Sequence, residues 1–567
     1  MRLTTRIARS AMQPFRAVAN MIRRLADAPG APRGVKQRVG YVLGAARTTM
    51  APGWRRFARW IIVILGFSIY IGMQVGLAFL IKEQAWIYIT ALFIIVSCFA
   101  LAVSKPTLAY LIWVITCPLG LIFLRYDFGP EVPAISYDRI TMMFLCSILI
   151  ARTLLNRKPI RKPLFSEWLT FAFVAYSFMT LLVFRQGTLA QTLATLSEKF
   201  DYIIMAALTY YVTKAVLRTR ENLVWATGAL VITGIHVAAS AFYEHFTGNM
   251  WFSSFLNTQI RLQFADVESG RASGSLVNPA AMGTFLGITT MLTVNLLFAT
   301  RKPIMKFLYL AAIVLQVIGC YFCFTRTGYA ALLILVAFMP LFARGARKQY
   351  WLIFGAAVLA LAIAVPIMMS NKDLNKRMSR ETTIYARLVV TYSTLRIIQH
   401  HPFFGVGLGN IDEALAENIT NAGNLSGLYG RGFVPFRYYP QRKLSGIITS
   451  HNSILTIFAE QGIIGGLMYL SILVGFLVQM FRVRSWLPNK GVLGKDFVSL
   501  LILSVIGHTT STLGYDIRFF KYPSYVLWIL FAIAVRLGEI VQEERRQATG
   551  EPDTSMLLQP MGDLVHA

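Results

Sequence analysis

Acidic residues are scarce in this chain. Asp and Glu number 26 against 55 Lys and Arg, and charged residues of both signs make up only 14% of its 567 residues. An ordinary soluble domain carries roughly 25%, so with 56% hydrophobic residues this chain is not a soluble enzyme. Cysteine is also sparse. All five (Cys98, Cys117, Cys146, Cys320, Cys323) fall inside hydrophobic runs. Cys320 and Cys323 form a C-x-x-C without further ligands nearby, and they read as small packing residues, not as a redox or zinc motif. No Walker A pattern exists. GVGLGN at 405–410 has the wrong spacing for a dinucleotide loop and follows a helix-like run instead of a strand. The alternating ten-residue segments of a membrane β-barrel are absent. The N-terminus lacks the compact apolar stretch and cleavage site of a signal peptide.

Long apolar runs dominate instead. A helix needs about 20 mainly apolar residues to cross a bilayer core of roughly 30 Å. Fourteen runs qualify, at about 59–81, 86–103, 107–124, 140–155, 167–184, 200–217, 222–243, 278–299, 304–324, 328–343, 350–369, 452–481, 497–514 and 523–541. Several are short or interrupted by Pro or Gly. Backbone groups in lipid must be satisfied within each segment. The expected fold is therefore an all-α polytopic membrane protein, a bundle of about 12–14 transmembrane helices with one large loop.

The net charge of +29 does not indicate nucleic acid. Thirteen basic residues lie in 1–59 against the single acid Asp27. This segment reads as a retained cytoplasmic arm, disordered or resting on anionic lipid, where each basic residue contributes roughly 1 kcal/mol. With that arm inside and the spans alternating, 35 of the 55 Lys and Arg fall on the inner side. Short loops follow such a bias most reliably. Both termini are then cytoplasmic, and the loop 370–450 lies outside. The organisation expected is an arm at 1–58, N-terminal helices at 59–217, a core at 218–482 containing loop 370–450, C-terminal helices at 483–543 and a cytoplasmic tail at 544–567.

The outer side carries a basic constellation. Arg271 sits in GRASGSLVNPAAMG, Arg326 in the short turn FTRTGYAAL, and Arg387 in ETTIYARLVVTYSTLRIIQHH. In that last segment Leu388, Thr391, Tyr392, Leu395 and Ile398 recur at helical spacing, and His401-Pro402 should end the helix. Arg396, nine residues from Arg387, should face the opposite way. An arginine at a membrane boundary is often only a snorkelling anchor. Several converging ones suit the oxygens of a phosphate, and glycines 270, 274 and 328 would leave room for a bulky head group. Loop 370–450 itself carries ten basic and five acidic residues, so an anionic ligand is expected. His451 opens the next apolar run, with Asn452 placed to cap the helix or orient the ring. Its ordinary pKa of about 6.5 allows it to take a proton near neutrality. No other His, Cys or carboxylate stands at metal-ligand spacing from it. Glu460, two turns along the same run, could pack or support the base.

In order, RASGSLVNP, FTRTGYAAL, ARLVVTYSTLRIIQHHPFFGVGLGN and HNSILTIFAEQGIIGG resemble the O-antigen ligase and O-antigen polymerase superfamily of bacterial envelope proteins, over roughly residues 220–480. The resemblance implies a GT-C-like fold in the inner membrane and a metal-independent inverting glycosyltransferase without cofactors. Its implied donor is a polyprenyl-diphosphate-linked glycan. Its implied acceptor is a glycan or a lipid-linked molecule, as in exopolysaccharide or lipopolysaccharide synthesis, with membrane lipid and polysaccharide export or assembly machinery as further partners. By the same resemblance, Arg271, Arg326 and Arg387 bind the donor diphosphate, His451 is the catalytic base, and Asn452 and Glu460 support it. Gln461 departs from the apolar residue common at its position, and the basic arm lies outside the pattern. The competing reading is a polytopic transporter or carrier of a glycolipid or small anion. That reading would call for charged residues near mid-membrane and paired inverted repeats, whereas here the arginines gather on one side.

Overall fold

The computed structural model describes residues 96, 100–123, 125–126, 135–155, 163–184, 188–249, 271–343, 345–370, 381–420, 450–489, 491–516 and 521–549. All lie in the second of two compact units, Ala91–Ala567. The basic arm, the first apolar run, most of the second, and much of loop 370–450 fall outside the described residues.

Each of the other twelve apolar runs is helical. The chain forms α1 (Pro106–Phe123), a two-residue antiparallel pair β1 (Arg125–Tyr126) and β2 (Ile135–Ser136), α2 (Tyr137–Leu155), α3 (Phe165–Val183) and α4 (Leu189–Phe200). A π-helical turn, Asp201–Met205, joins α4 to α5 (Ala206–Val216). Then follow α6 (Arg220–Thr247), α7 (Pro279–Ala299), α8 (Pro303–Phe322), α9 (Arg326–Phe342) and α10 (Arg347–Ser370). The polar segment holds α11 (Glu381–His400) and α12 (Ile411–Thr420). The chain closes with α13 (Ser453–Trp486), α14 (Lys495–Ser511) and α15 (Lys521–Thr549). The protein is an all-α polytopic membrane protein. Among the described residues six helices, α3, α6, α7, α8, α13 and α15, are long and apolar enough to cross a membrane.

Charge pairs sort the helix ends into two sets. At one end Lys214 bridges Glu167 (2.6 Å) and Glu539 (2.7 Å), and Arg220 meets Glu544 (2.7 Å). At the other, Arg139 grips Asp201 at 2.7 Å, and Lys521 pairs with the same carboxylate. Between the ends the core is apolar. α7 and α15 are the most enclosed helices, with Phe285, Tyr522, Tyr525 and Phe531 fully buried. Small residues let some helices approach closely. A Cβ on Gly283 would stand 2.8 Å from the Cα of Gly328, so α7 and α9 cross almost in backbone contact, a common device where lipid offers no competing hydrophobic drive.

α13 is not one rod. Gly462 has φ 66° and ψ −168°, and the helix breaks there. Phe458 in the first arm lies where a Cβ on Gly466 would be, and Ser453 and Ile457 line a cavity together with Tyr469. The first arm, 453–461, thus bends back over the second. Expectation had a single span starting at 452; the membrane-length part begins only after Gly462. The domain boundary expected at 482 falls inside the second arm.

Candidate functional site

The turn bearing Arg271 is held from below by α6. Ser273 and Gly274 donate their backbone N–H groups to Glu244 Oε2 at 2.9 and 2.7 Å, and the Ser273 hydroxyl reaches Oε1 at 3.1 Å. Ala272 N–H binds the Phe322 carbonyl at 3.0 Å, tying this turn to the end of α8. Asn278 then caps α7, accepting from Ala280 and Ala281 at 2.9 and 3.0 Å, with Pro279 in the first helical turn. That is the ordinary chemistry of a helix start. Arg326 opens α9 four residues beyond the end of α8.

His451 precedes Asn452, whose side chain accepts from Ile454 and Leu455 N–H at 3.1 Å each. Asn452 is therefore a helix cap. Around His451, the Ser450 and Thr456 hydroxyls meet, and Thr456 donates to Asp516 Oδ2 at 3.1 Å. Ser453 N–H binds the Thr512 carbonyl at 3.0 Å. These bonds fix the histidine turn to the end of α14. That same end touches α9, since a Cβ on Gly514 would lie 2.2 Å from Thr327 Cγ2.

Arg387 reaches the site from α11. Val389 and Ile397 of α11, Ile411 and Leu415 of α12, and Ala459 of α13 form a separate apolar cluster. The buried residues of α11 are thus Val389, Ser393, Thr394 and Ile397, and Leu388 and Leu395 are exposed. The helical spacing expected of this segment is met, and of the residues that showed it Tyr392 and Ile398 pack against the cluster. Arg396 turns toward His400, 3.5 Å away, and α11 ends at His400 as the following His-Pro implied.

The loop 402–410 seats this assembly on the break in α13. Val406 N–H takes the Ala459 carbonyl (2.9 Å), Gly407 N–H the Glu460 carbonyl (2.8 Å), and Ile463 N–H the Pro402 carbonyl (2.7 Å). Groups freed by the helix break are thereby satisfied. Glu460 is fully buried and accepts Gly409 N–H at 3.1 Å. It sits at the far end of the first arm, holding the glycine loop.

Electrostatics brings the cations together. Burial, then Arg326, then Arg271 lower the pKa of Arg387 below the ordinary arginine value. Burial, then Arg387, lower that of His451, against an opposing pull from Asp516. Arg326, Arg387 and His451 nonetheless reach solvent, and Arg271 is half-buried. Backbone strain marks the same place. Among the described residues, the non-glycine residues with positive φ are Val277 (59°), Phe324 (43°) and His451 (52°). One stands in each turn that carries Arg271, Arg326 and His451. Such conformations are costly, above all for a β-branched residue, and tend to gather at functional sites.

Two of the three glycines expected to make room serve another purpose, while Gly270 lies outside the described residues. Gly274 packs against Ser240, and Gly328 against Gly283, so both allow close chain approach and neither makes room for a ligand. Glu244 and Asp516 escaped the sequence reading. Each is a lone acid far along the chain from the turn it holds.

The fold and this site define a polytopic helical membrane protein with a cationic, histidine-bearing site at one end of its bundle. Residues 311–470 match the family model described as O-Antigen ligase, a segment that contains Arg326, Arg387, His451 and Glu460. The match over this segment supports the O-antigen ligase and polymerase family and, with the apolar helices, a membrane enzyme of that general type. Arg271 lies outside the matched segment. No curated protein matches the chain.

Proposed function

We propose that the chain transfers a glycan from a polyprenyl-diphosphate carrier to an acceptor hydroxyl at the periplasmic face of the inner membrane, with both termini in the cytoplasm. The observation carrying this reading is that Arg326 and Arg271 both act electrostatically on Arg387, and Arg387 in turn on His451. Three guanidinium groups brought together against their own repulsion suit a ligand with concentrated negative charge. A diphosphate leaving group gathers such charge as the sugar–oxygen bond breaks, and fixed cations stabilise it.

In the proposed reaction the acceptor oxygen attacks the anomeric carbon while the bond to the diphosphate breaks. Neutral His451 takes the hydroxyl proton, and the polyprenyl diphosphate departs with the bonding electron pair. Attack opposite the leaving group inverts the anomeric centre. A positioned base of this kind contributes typically 10²–10⁴ in rate. Burial and Arg387 lower the His451 pKa, which favours the neutral ring that this step needs. Asn452 and Glu460 act through position, one by capping the first arm and one by holding the glycine loop.

Replacing Arg271, Arg326 and His451 singly by Ala should abolish or strongly reduce surface glycan. Normal yield and length in all three variants would overturn the reading. A polymerase is the slightly favoured form. The carrier-linked glycan of a deletion strain separates the two: single repeat units mark a missing polymerase, long chains a missing ligase.

A further inference from the structure

The backbone around Arg271 has the form of an anion cradle. Ser273 is right-handed (φ −114°, ψ −16°) and Gly274 left-handed (φ 56°). Successive residues of this kind turn their N–H groups into one concavity, a shape that binds phosphates in many proteins. Here both N–H groups already point at the Glu244 carboxylate, at 2.9 and 2.7 Å. Glu244 is only 4% exposed, and its second oxygen takes the Ser273 hydroxyl. Ser240, one turn earlier on α6, receives Ser275 N–H at 3.0 Å. His245, the next residue on α6, stacks on Phe322 with ring centroids 4.0 Å apart, and the Phe322 carbonyl binds Ala272.

We infer that Glu244 is a positioning residue for donor binding: its carboxylate fills the Ser273–Gly274 cradle and thereby fixes the Arg271 side chain toward the diphosphate. The donor is then held by side-chain guanidinium groups, and the backbone cradle is not offered to it. A carboxylate accepting three hydrogen bonds inside a low-dielectric bundle holds a turn firmly. Without it the turn has two stranded N–H groups and a left-handed glycine with nothing to close on. A displacement of about 1 Å at a binding group can cost about a hundredfold.

This inference rests on the donor reading above, and a double-mutant cycle keeps the two apart. Full-length protein in lipid nanodiscs is titrated with polyprenyl diphosphate alone, in wild type, Glu244→Ala, Arg271→Ala and the double variant. Each single change should weaken binding about tenfold or more. The double variant should bind no worse than about threefold below Arg271→Ala, because Glu244 acts through that side chain. If the two losses multiply, the positioning role is wrong while the donor site stands. If Arg271→Ala binds as wild type does, the donor reading itself fails and this inference with it. Should Glu244→Ala not fold, Glu244→Gln serves. Its amide oxygen still accepts from the cradle, so it should fold, bind between wild type and Arg271→Ala, and show the same lack of additivity. A Glu244→Gln change that weakens binding by the same factor in the Arg271→Ala background as in the wild type would overturn the inference.

Discussion

The carbonyl oxygen of Phe403 stands 2.1 Å from where a Cβ on Gly462 would lie, so the glycine loop and the break in α13 are shaped to each other. Gly462, at φ 66° and ψ −168°, also lies in a region essentially reserved for glycine, which costs an L-residue about 1–3 kcal/mol. Gly462→Ala should therefore lower the melting temperature of the detergent-purified protein and reduce activity together, by an amount corresponding to at least about 2 kcal/mol. Gly355→Ala is the control. It lies in α10 with nothing within 4 Å of its added methyl, and should be neutral or stabilising by up to about 1 kcal/mol. Equal melting temperatures for the two variants would mean that loop 402–410 does not hold the break.

The pH dependence should respond to two neighbours in opposite directions. A general base works only when unprotonated, so protonation of His451 sets the acidic limb of kcat/KM. Arg387 lowers the His451 pKa and Asp516 raises it. Asp516→Asn should move the limb to lower pH, and Arg387→Gln to higher pH, each alongside some loss of maximal rate. Rate profiles from pH 4 to 8 would test this. Parallel shifts, or none, would remove His451 as the titrating base.

The α7–α9 crossing offers a third test. Gly283 and Gly328 meet almost backbone to backbone, with Gly328 only two residues after the exposed Arg326. Gly328→Leu must push α9 away from α7 and move Arg326 with it, at a cost of roughly 1–3 kcal/mol for overpacking. The donor KM should rise more than the melting temperature falls in proportion. An unchanged KM would show that Arg326 does not depend on this crossing.

What the sequence disclosed and withheld follows from the range of the interactions. Helices were legible from apolar length, and Asn452 and Pro402 from local backbone chemistry that needs no distant partner. Arg271, Arg326, Arg387 and His451 were legible because charge is conspicuous between apolar runs. Glu244 and Asp516 were not, since their partners lie 29 and 60 residues away. The break at Gly462 was hidden for a different reason. A glycine within an apolar run is compatible with a continuous helix, and only the docking of loop 402–410 forces the bend. The helix of α11 was legible from its spacing, but which of its residues bury most completely, Val389 and Ser393 and not Leu388 and Leu395, is decided by the helices it meets.

Arg326 provides the sharpest test of what the cations bind. It opens α9 with its side chain in solvent, and it is one of two arginines that lower the pKa of Arg387. If its role were charge alone, Arg326→Lys would be nearly silent, because lysine keeps the cation. A diphosphate oxygen pair instead engages the planar fork of a guanidinium through two parallel hydrogen bonds. Losing one charge-assisted bond costs about 1.5–3 kcal/mol, which is about tenfold to a hundredfold in binding. Arg326→Lys should accordingly lower kcat/KM for the lipid-linked donor about tenfold or more, and Arg326→Ala further still. Steady-state rates with purified donor at several salt concentrations check both. A lysine variant as active as wild type would leave Arg326 as a general electrostatic contributor and shift the burden of phosphate recognition to Arg271 and Arg387.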